Sequence, residues 1–474
     1  MYPKRRQSLL LALSLVLLPG LSGCVTLLPT LPKLSLAANQ TLGAVPLEVA
    51  FDTELILSDQ AKTDPTWTYT WDFGEGTVGQ GPEATHTYAT PGTYRVQLTL
   101  SDGEDFSTQR SVVVTALAAP RFEVQRFATG LHPLAGAVVD LNLDGRPDLL
   151  SANAKSHSIS VFLSTNDAFT ANPYGYPAIK APSDAPQPQN VTLGDINGDT
   201  LFDLIVLNEP DDNLTVLFGN GIGGFETPSG YRIARPSRAV TGDFSGNHHQ
   251  DVLVVSNTGS NSRLVLMEGK GTGELKLGRT LLERSLINGL VAADFNHDGN
   301  LDVAVSTRGF GVEVLVLLNQ GDGTFAAPVE ILLPAKPSAM TLGDFNFDGN
   351  KDLITANNDG TVSLIAGDGQ GGFELTDTVE TQLDAPSAIV SADVNGDHRQ
   401  DVLLQYDHDG TSDLAALLGD GHGAFSAPVL LEGVQGAVSP VAAYIDDDLL
   451  EDVMLVSPAT NELILALNRS GSAR

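Results

Sequence analysis

The chain has 474 residues, 58 acidic against 26 basic side chains, a formal charge of −32, 42% hydrophobic and 6% aromatic residues, 48 glycines, 26 prolines and one cysteine. That length implies two or three domains, and the apolar fraction is enough for packed cores, which excludes global disorder. The acidic balance excludes a nucleic-acid binder, which needs a basic face to displace counterions, and one cysteine excludes an internal disulfide.

The chain opens on a targeting pattern. Lys4, Arg5 and Arg6 form a positive start, and Leu9 to Leu18 an apolar run too short to span a bilayer. Leu21-Ser22-Gly23-Cys24 follows and resembles the lipobox of bacterial lipoproteins. The resemblance implies a signal peptide over 1–23, cleavage before Cys24, and a lipid on the Cys24 sulfur that anchors the protein to a membrane. Arg5-Arg6 also resembles a twin-arginine signal, but the strongly apolar run fits the general secretory route better. Val25 after the cysteine implies, by resemblance to Gram-negative sorting rules, an outer-membrane lipoprotein of the bacterial envelope. Residues 24–33, with Pro29 and Pro32, read as a lipidated tether.

Residues 34–117 alternate strand-like runs with turn signals. Tyr69-Thr-Trp71-Asp-Phe73-Gly74-Glu-Gly76, then His86-Thr-Tyr88, then Gly92-Thr-Tyr94-Arg-Val96-Gln-Leu98-Thr-Leu100 resemble the PKD domain, an immunoglobulin-like β-sandwich. Trp71 and Phe73 are expected in its core. Leu117-Ala-Ala-Pro120 reads as the boundary.

From 118 to 474 an acidic loop recurs. Its starts are 140, 195, 243, 294, 344, 393 and 444, spaced by 55, 48, 51, 50, 49 and 51 residues. A period near 50 with only strand signals is a propeller period. Four apolar runs per repeat predict seven blades of four strands. A second signature follows the third run, a Gly-rich turn ending in Phe225, Phe325, Phe373 or Phe425. Together the two resemble FG-GAP or VCBS-type repeats, as in integrin α propellers. The predicted fold class is all-β: a PKD sandwich followed by a seven-bladed propeller. The last repeat ends without its turn and fourth strand. Residues 121–128, after Ala119-Pro120, match the Ala-Pro start of that strand elsewhere, so they should pair with 462–467 and close the ring, which leaves no open sheet edge.

The loop pattern is D-x-[DNS]-x-[DN]-x-x-x-D. Ca²⁺ takes six to eight oxygen ligands, and an oxygen-only set without Cys or His suits a hard cation. Asp, Asn and Gly also simply make turns, but seven loops in register favour structural calcium. The candidate ligands at positions one, three, five and nine are Asp140, Asn142, Asp144 and Asp148; Asp195, Asn197, Asp199 and Asp203; Asp243, Ser245, Asn247 and Asp251; Asp294, Asn296, Asp298 and Asp302; Asp344, Asn346, Asp348 and Asp352; and Asp393, Asn395, Asp397 and Asp401. Gly145, Gly299 and Gly349 at position six allow a sharp turn with φ > 0. The loop at 444 has Tyr444 in place of the first ligand and Leu449 at position six, so it is expected to be impaired.

No HExxH, GxSxG or phosphate loop is present. His248, His249, His297 and His398 sit in the acidic loops as turn or solvent residues. The longest insertion, 168–189, holds aromatics and prolines with Asp184 its only carboxylate after Asp167, which suits a contact loop. The reading is therefore a non-catalytic, monomeric calcium-binding propeller that recognises a protein or carbohydrate ligand. The alternatives are a polysaccharide hydrolase or lyase with an acid pair among the loops, and a structural part of an envelope assembly.

Overall fold

A computed structural model describes residues 33–56, 67–103, 106–165, 169–171, 176–177, 187–309 and 313–470. The targeting segment, Cys24 and most of the tether lie outside them. Among the described residues there is no α-helix.

The first unit packs two sheets face to face. One holds Lys33–Ala38, Leu47–Ile56 and Ala84–Tyr88. The other holds Leu42–Ala44, Ser107–Leu117, Gly92–Ser101, Thr68–Asp72 and Val78–Gln80. Alternation along Leu47–Ile56 sends Leu47, Val49 and Phe51 inward. They meet Trp71, Phe73, Tyr88, Val96 and Leu98 in one core. Trp71 is fully buried and its Nε1 donates to the Gly81 carbonyl at 2.8 Å, so the indole is a core residue.

Residues 122–468 form seven further sheets. In blade three the order is Pro236–Gly242, Asp251–Thr258, Asn261–Gly269 and Leu275–Arg284, each strand antiparallel to the next. The second strand of every blade is buried on both faces. Asp203–Asn208, Asp302–Thr307 and Asp352–Asn357 have no exposed position, which is why they read as continuous apolar runs. Both faces are covered because each sheet lies between two others. Ile205 and Leu207 of blade two pack on Val252 and Val254 of blade three. Leu253 and Val255 then pack on Val303 and Val305 of blade four. The series returns on itself: Leu149 and Phe162 of blade one pack on Met454, Leu463 and Leu465 of the last blade.

The closing strand comes from the start of the repeat region. Phe122–Ala128 pairs antiparallel with Glu462–Asn468, in a register that runs from Glu462 opposite Ala128 to Asn468 opposite Phe122. Arg469 N donates to the Arg121 carbonyl at 2.7 Å, and Arg121 N to Ser470 Oγ at 2.9 Å. The expected partner of 462–467 is therefore the observed one.

One feature differs from the sequence reading. Part of the 168–189 insertion is structure rather than loop: Phe169–Ala171 and Tyr176–Pro177 both pair with Ser158–Ser164 and supply the outer edge of blade one. The boundary at 117–120 is packed. Leu117 is buried and, with Leu42 and Ala44, packs on Leu431, Val434 and Ala437 beside the last two blades.

Candidate metal centres

Each acidic loop joins the first strand of a blade to the second. The Gly-rich turn joins the third to the fourth at the same end of the ring. The fifth loop shows the common geometry. Asp344, at position one, accepts two backbone hydrogen bonds, from Asp348 N at 3.1 Å and Gly349 N at 3.0 Å. Asn346 Oδ1 accepts from Asp348 N at 3.0 Å, and Asp348 Oδ1 from Asn350 N at 2.8 Å. Asn346 Nδ2 donates to Asp348 Oδ2 at 3.1 Å. The chain thus curls so that the side chains of positions one, three and five are tied to one another and to the loop backbone. The loops at 140, 195, 294 and 393 repeat it: Asp140, Asp195, Asp294 and Asp393 each take the N–H groups four and five residues on.

Left-handed backbone makes the curl. Position six is left-handed whether Gly stands there, at φ +84°, +87° and +88° for Gly145, Gly299 and Gly349, or not, at +71°, +64°, +64° and +62° for Thr200, His248, His398 and Leu449. A β-carbon on those three glycines would touch nothing, so the requirement is torsional and not one of space. Position four is left-handed too, in Leu143, Gly198, Gly246, His297, Phe347 and Gly396. Seven non-Gly residues at φ > 0 are not what turn propensity selects. In the first six loops a hydrogen bond to the position-one carboxylate holds the residue at position six there.

Position nine plays a part that spacing alone did not reveal. Asp148, Asp203, Asp251, Asp302, Asp352, Asp401 and Asp452 are all fully buried. In each, Oδ2 accepts the N–H of loop position two, and Oδ1 accepts an N–H at the end of the third strand. For Asp352 the donors are Phe345 and Gly367, both at 3.0 Å. The carboxylate therefore clamps the loop to the Gly-rich turn. In Asp352 each oxygen keeps a second lone pair, whereas Oδ2 of Asp251 and of Asp452 accepts a second backbone N–H, from Ser245 and Asp446.

These acids are crowded. Burial pushes the Asp203 carboxyl up to about 6 against hydrogen bonds from Gly219 and Ile196, and the Asp199 and Asp195 charges add to the rise. Burial pushes Asp401 up to about 8, again opposed by its backbone hydrogen bonds and assisted by Asp397 and Asp393. The sixth loop has a further acid that its own sequence does not contain: Glu451 Oε2 accepts Asp393 N at 2.6 Å.

The donor set of the first six loops is oxygen throughout, which fits a hard divalent cation. Loop three is the poorest, with Ser245 and Asn247 in place of acid or amide. Its Ser245 Oγ is buried beside Asp251 without a well-formed hydrogen bond, and Asn247 Nδ2 is turned to the Gly269 carbonyl at 3.0 Å. The histidines stay at the surface: the His248 and His398 side chains are 96% and 89% exposed.

The seventh loop is different in kind. Tyr444 is exposed and gives no first ligand. Asp446, Asp448 and Asp452 nevertheless bring one oxygen each within 4.8 Å of one another. A cation of the chain lies against two of them. Arg469 Nη1 is 2.7 Å from both Asp446 Oδ2 and Asp448 Oδ2, and Nε is 3.3 Å from Glu123 Oε2. Arg469 follows the final strand, and no loop spacing points to it.

The PKD domain profile matches residues 33–115. The FG-GAP-like repeat profile matches 140–206, 243–305 and 344–404, each stretch starting at position one of a loop and containing the next loop as well. The chain carries a PKD domain and FG-GAP-like repeats. Those matches take in six acidic loops, and the loop held by Arg469 lies beyond them. No curated protein sequence matches the chain significantly. Among solved structures, BBS1N in complex with ARL6DN, soaked with lead, is similar at a TM-score of 0.53 and 10% identity, over 76% of this chain and 99% of that one. The mercury-soaked form of the same complex is similar at 0.50 and 10%, over 74% and 98%. At that identity the likeness is one of fold, and it agrees with the propeller assembled from the FG-GAP-like repeats.

Proposed function

We propose that this protein is a non-catalytic recognition module, a propeller stabilised by calcium in its FG-GAP loops and held at a bacterial envelope membrane by lipid on Cys24. The observation that carries the calcium reading is the crowding of acids around a buried position nine, in loops whose candidate donors are all oxygen. A divalent cation there offsets the cost of burying the Asp203 and Asp401 carboxylates and the smaller repulsion that their neighbouring acids add. Extracellular calcium modules bind at about 10⁻⁴–10⁻³ M. At tenfold excess over Kd each occupied site adds about 1.4 kcal/mol.

The recognition reading rests on the architecture. A ring whose blades are locked by clamped loops at one end leaves the hairpins and inter-blade links of the other end free to vary, and binding residues concentrate on such loops over rigid scaffolds. The similar fold of BBS1N occurs in a complex with another protein, ARL6DN, which supports a protein partner; a carbohydrate partner is the second form of the same reading. The acids that could make a hydrolase pair are engaged in the loops by backbone hydrogen bonds.

Thermal melting with EDTA and then with excess calcium tests the metal, and equal midpoints refute it. Cys24→Ser tests the anchor: the variant should leave the membrane fraction and take up no labelled palmitate. Continued labelling refutes lipidation.

A further inference from the structure

At the end of the ring opposite the acidic loops, blades three, four and five frame a cleft of about 430 Å³. Three cations line it. Arg235 stands just before strand Pro236–Gly242, Arg308 just after Asp302–Thr307, and Lys336 just before Pro337–Gly343. Asn257, Asn288 and Asn358 also line it, and no Asp or Glu does. In a chain of 58 acidic and 26 basic side chains, such a lining is the reverse of the overall composition.

Arg235 has a partner on the rim, Glu209 Oε1, at 2.9 Å from Nη2. Arg308 and Lys336 are exposed, and among the described residues no carboxylate pairs with either. The acidic loops do not neutralise the cleft from afar. The six-residue second strands place them roughly 20 Å away at about 3.3 Å per residue, well beyond a Debye length of about 8 Å at physiological salt.

A second observation lies on the inner strand of blade three. Arg238 stands five residues before its loop, where the other blades have Ala, Asn, Gly or Ser. It is half-buried there, burial lowers its pKa, and among the described residues its side chain has neither an acidic partner nor a hydrogen bond. A half-buried guanidinium without a counter-charge adds positive potential to blade three.

We propose that this cleft binds a ligand carrying two or more oxyanion groups, sulfate or carboxylate. Arg308 and Lys336 make the direct contacts, and Arg235 and the asparagine amides orient the ligand. Arg238 contributes positive potential from within the ring. The inference deepens the recognition reading above and is independent of whether the loops hold calcium.

The test is calorimetric titration of the full-length protein in detergent, at fixed calcium and at 50 and 200 mM NaCl. The probes are a heparin tetrasaccharide for sulfate, a galacturonate tetramer for carboxylate, and neutral cellotetraose. The anionic probes should bind, and more weakly at the higher salt; which of the two binds more tightly identifies the oxyanion. Arg308→Glu with Lys336→Glu should lower affinity about a hundredfold, at about tenfold for each charge-assisted contact. Lys155→Glu, at the same end of blade one, should bind as the parent does. The milder pair Arg308→Gln and Lys336→Gln serves if the reversed pair does not fold, with a loss of at least tenfold expected. Failure of both anionic probes, or equal binding by the variant pairs, overturns the proposal. Binding of cellotetraose as tight as that of the anionic probes overturns it too, while leaving the recognition reading intact.

Discussion

Replacing Arg469 by Gln separates a built-in cation from an ordinary surface ion pair. The guanidinium bonds Asp446 and Asp448 at 2.7 Å, with all three side chains 31–32% exposed, and reaches Glu123, which is 59% exposed. A hydrogen bond to a charged group contributes about 1.5–3 kcal/mol when protected, and screening at one-third exposure reduces each of the two short ones to about 1 kcal/mol. The Glu123 pair adds nothing measurable. The loss is then about 2 kcal/mol. Unfolding roughly 350 residues at about 2.1 cal/mol/K per residue gives an entropy near 0.7 kcal/mol/K, so the midpoint should fall by about 3 °C in EDTA. The variant should also gain a calcium response, because it leaves Asp446, Asp448 and Asp452 gathered without their cation. At tenfold excess over Kd the recovery is about 1.4 kcal/mol, or about 2 °C more than calcium gives the parent. Scanning calorimetry of both proteins, with EDTA and with calcium, reads all four midpoints. If the variant melts with the parent in EDTA, or calcium raises both by the same amount, Arg469 is not the counter-ion of this loop.

Asp348→Ala and Asp352→Ala lie in one loop and should behave differently. Asp348→Ala should diminish the calcium-dependent rise in melting temperature and leave the EDTA midpoint almost unchanged. Asp352→Ala strands the buried N–H groups of Phe345 and Gly367, at about 2 kcal/mol each, so urea unfolding should show a loss of about 4 kcal/mol with or without calcium. Equal behaviour of the two variants refutes the division between ion-facing and clamping positions. Leu465→Ala, fully buried in the closing blade, should cost about 3 kcal/mol. Hydrogen exchange should then speed up in both Phe122–Ala128 and Glu462–Asn468; acceleration in only one of them would mean that the ring is not closed by that pairing.

Local and periodic features were legible in the sequence because short-range physics sets them. The recurrence of Asp, Asn and Gly near every 50 residues marked the loops. Apolar runs after position nine marked strands, and the Ala-Pro start before residue 121 marked the strand that returns to the end of the chain. Trp71 and Phe73 stood out as core residues for the same reason, since they sit in a short run with fixed turn chemistry.

Tertiary contact decided the rest. Position nine looks like any other acid of the loop until its strand is buried, and burial then assigns both its oxygens to backbone N–H groups. Glu451 joins the sixth loop, and Arg469 the seventh, across distances in sequence that no periodicity records. The cations of the far cleft come from three blades, and only closing the ring sets them side by side. Periodicity reports what each repeat does for itself, whereas charge pairing and desolvation depend on which repeats become neighbours. The sequence by itself therefore determined the repeat, its strands and its loops, and the packed ring decided which acids became clamps, which cation stood in for an ion, and where positive charge gathered on an acidic protein.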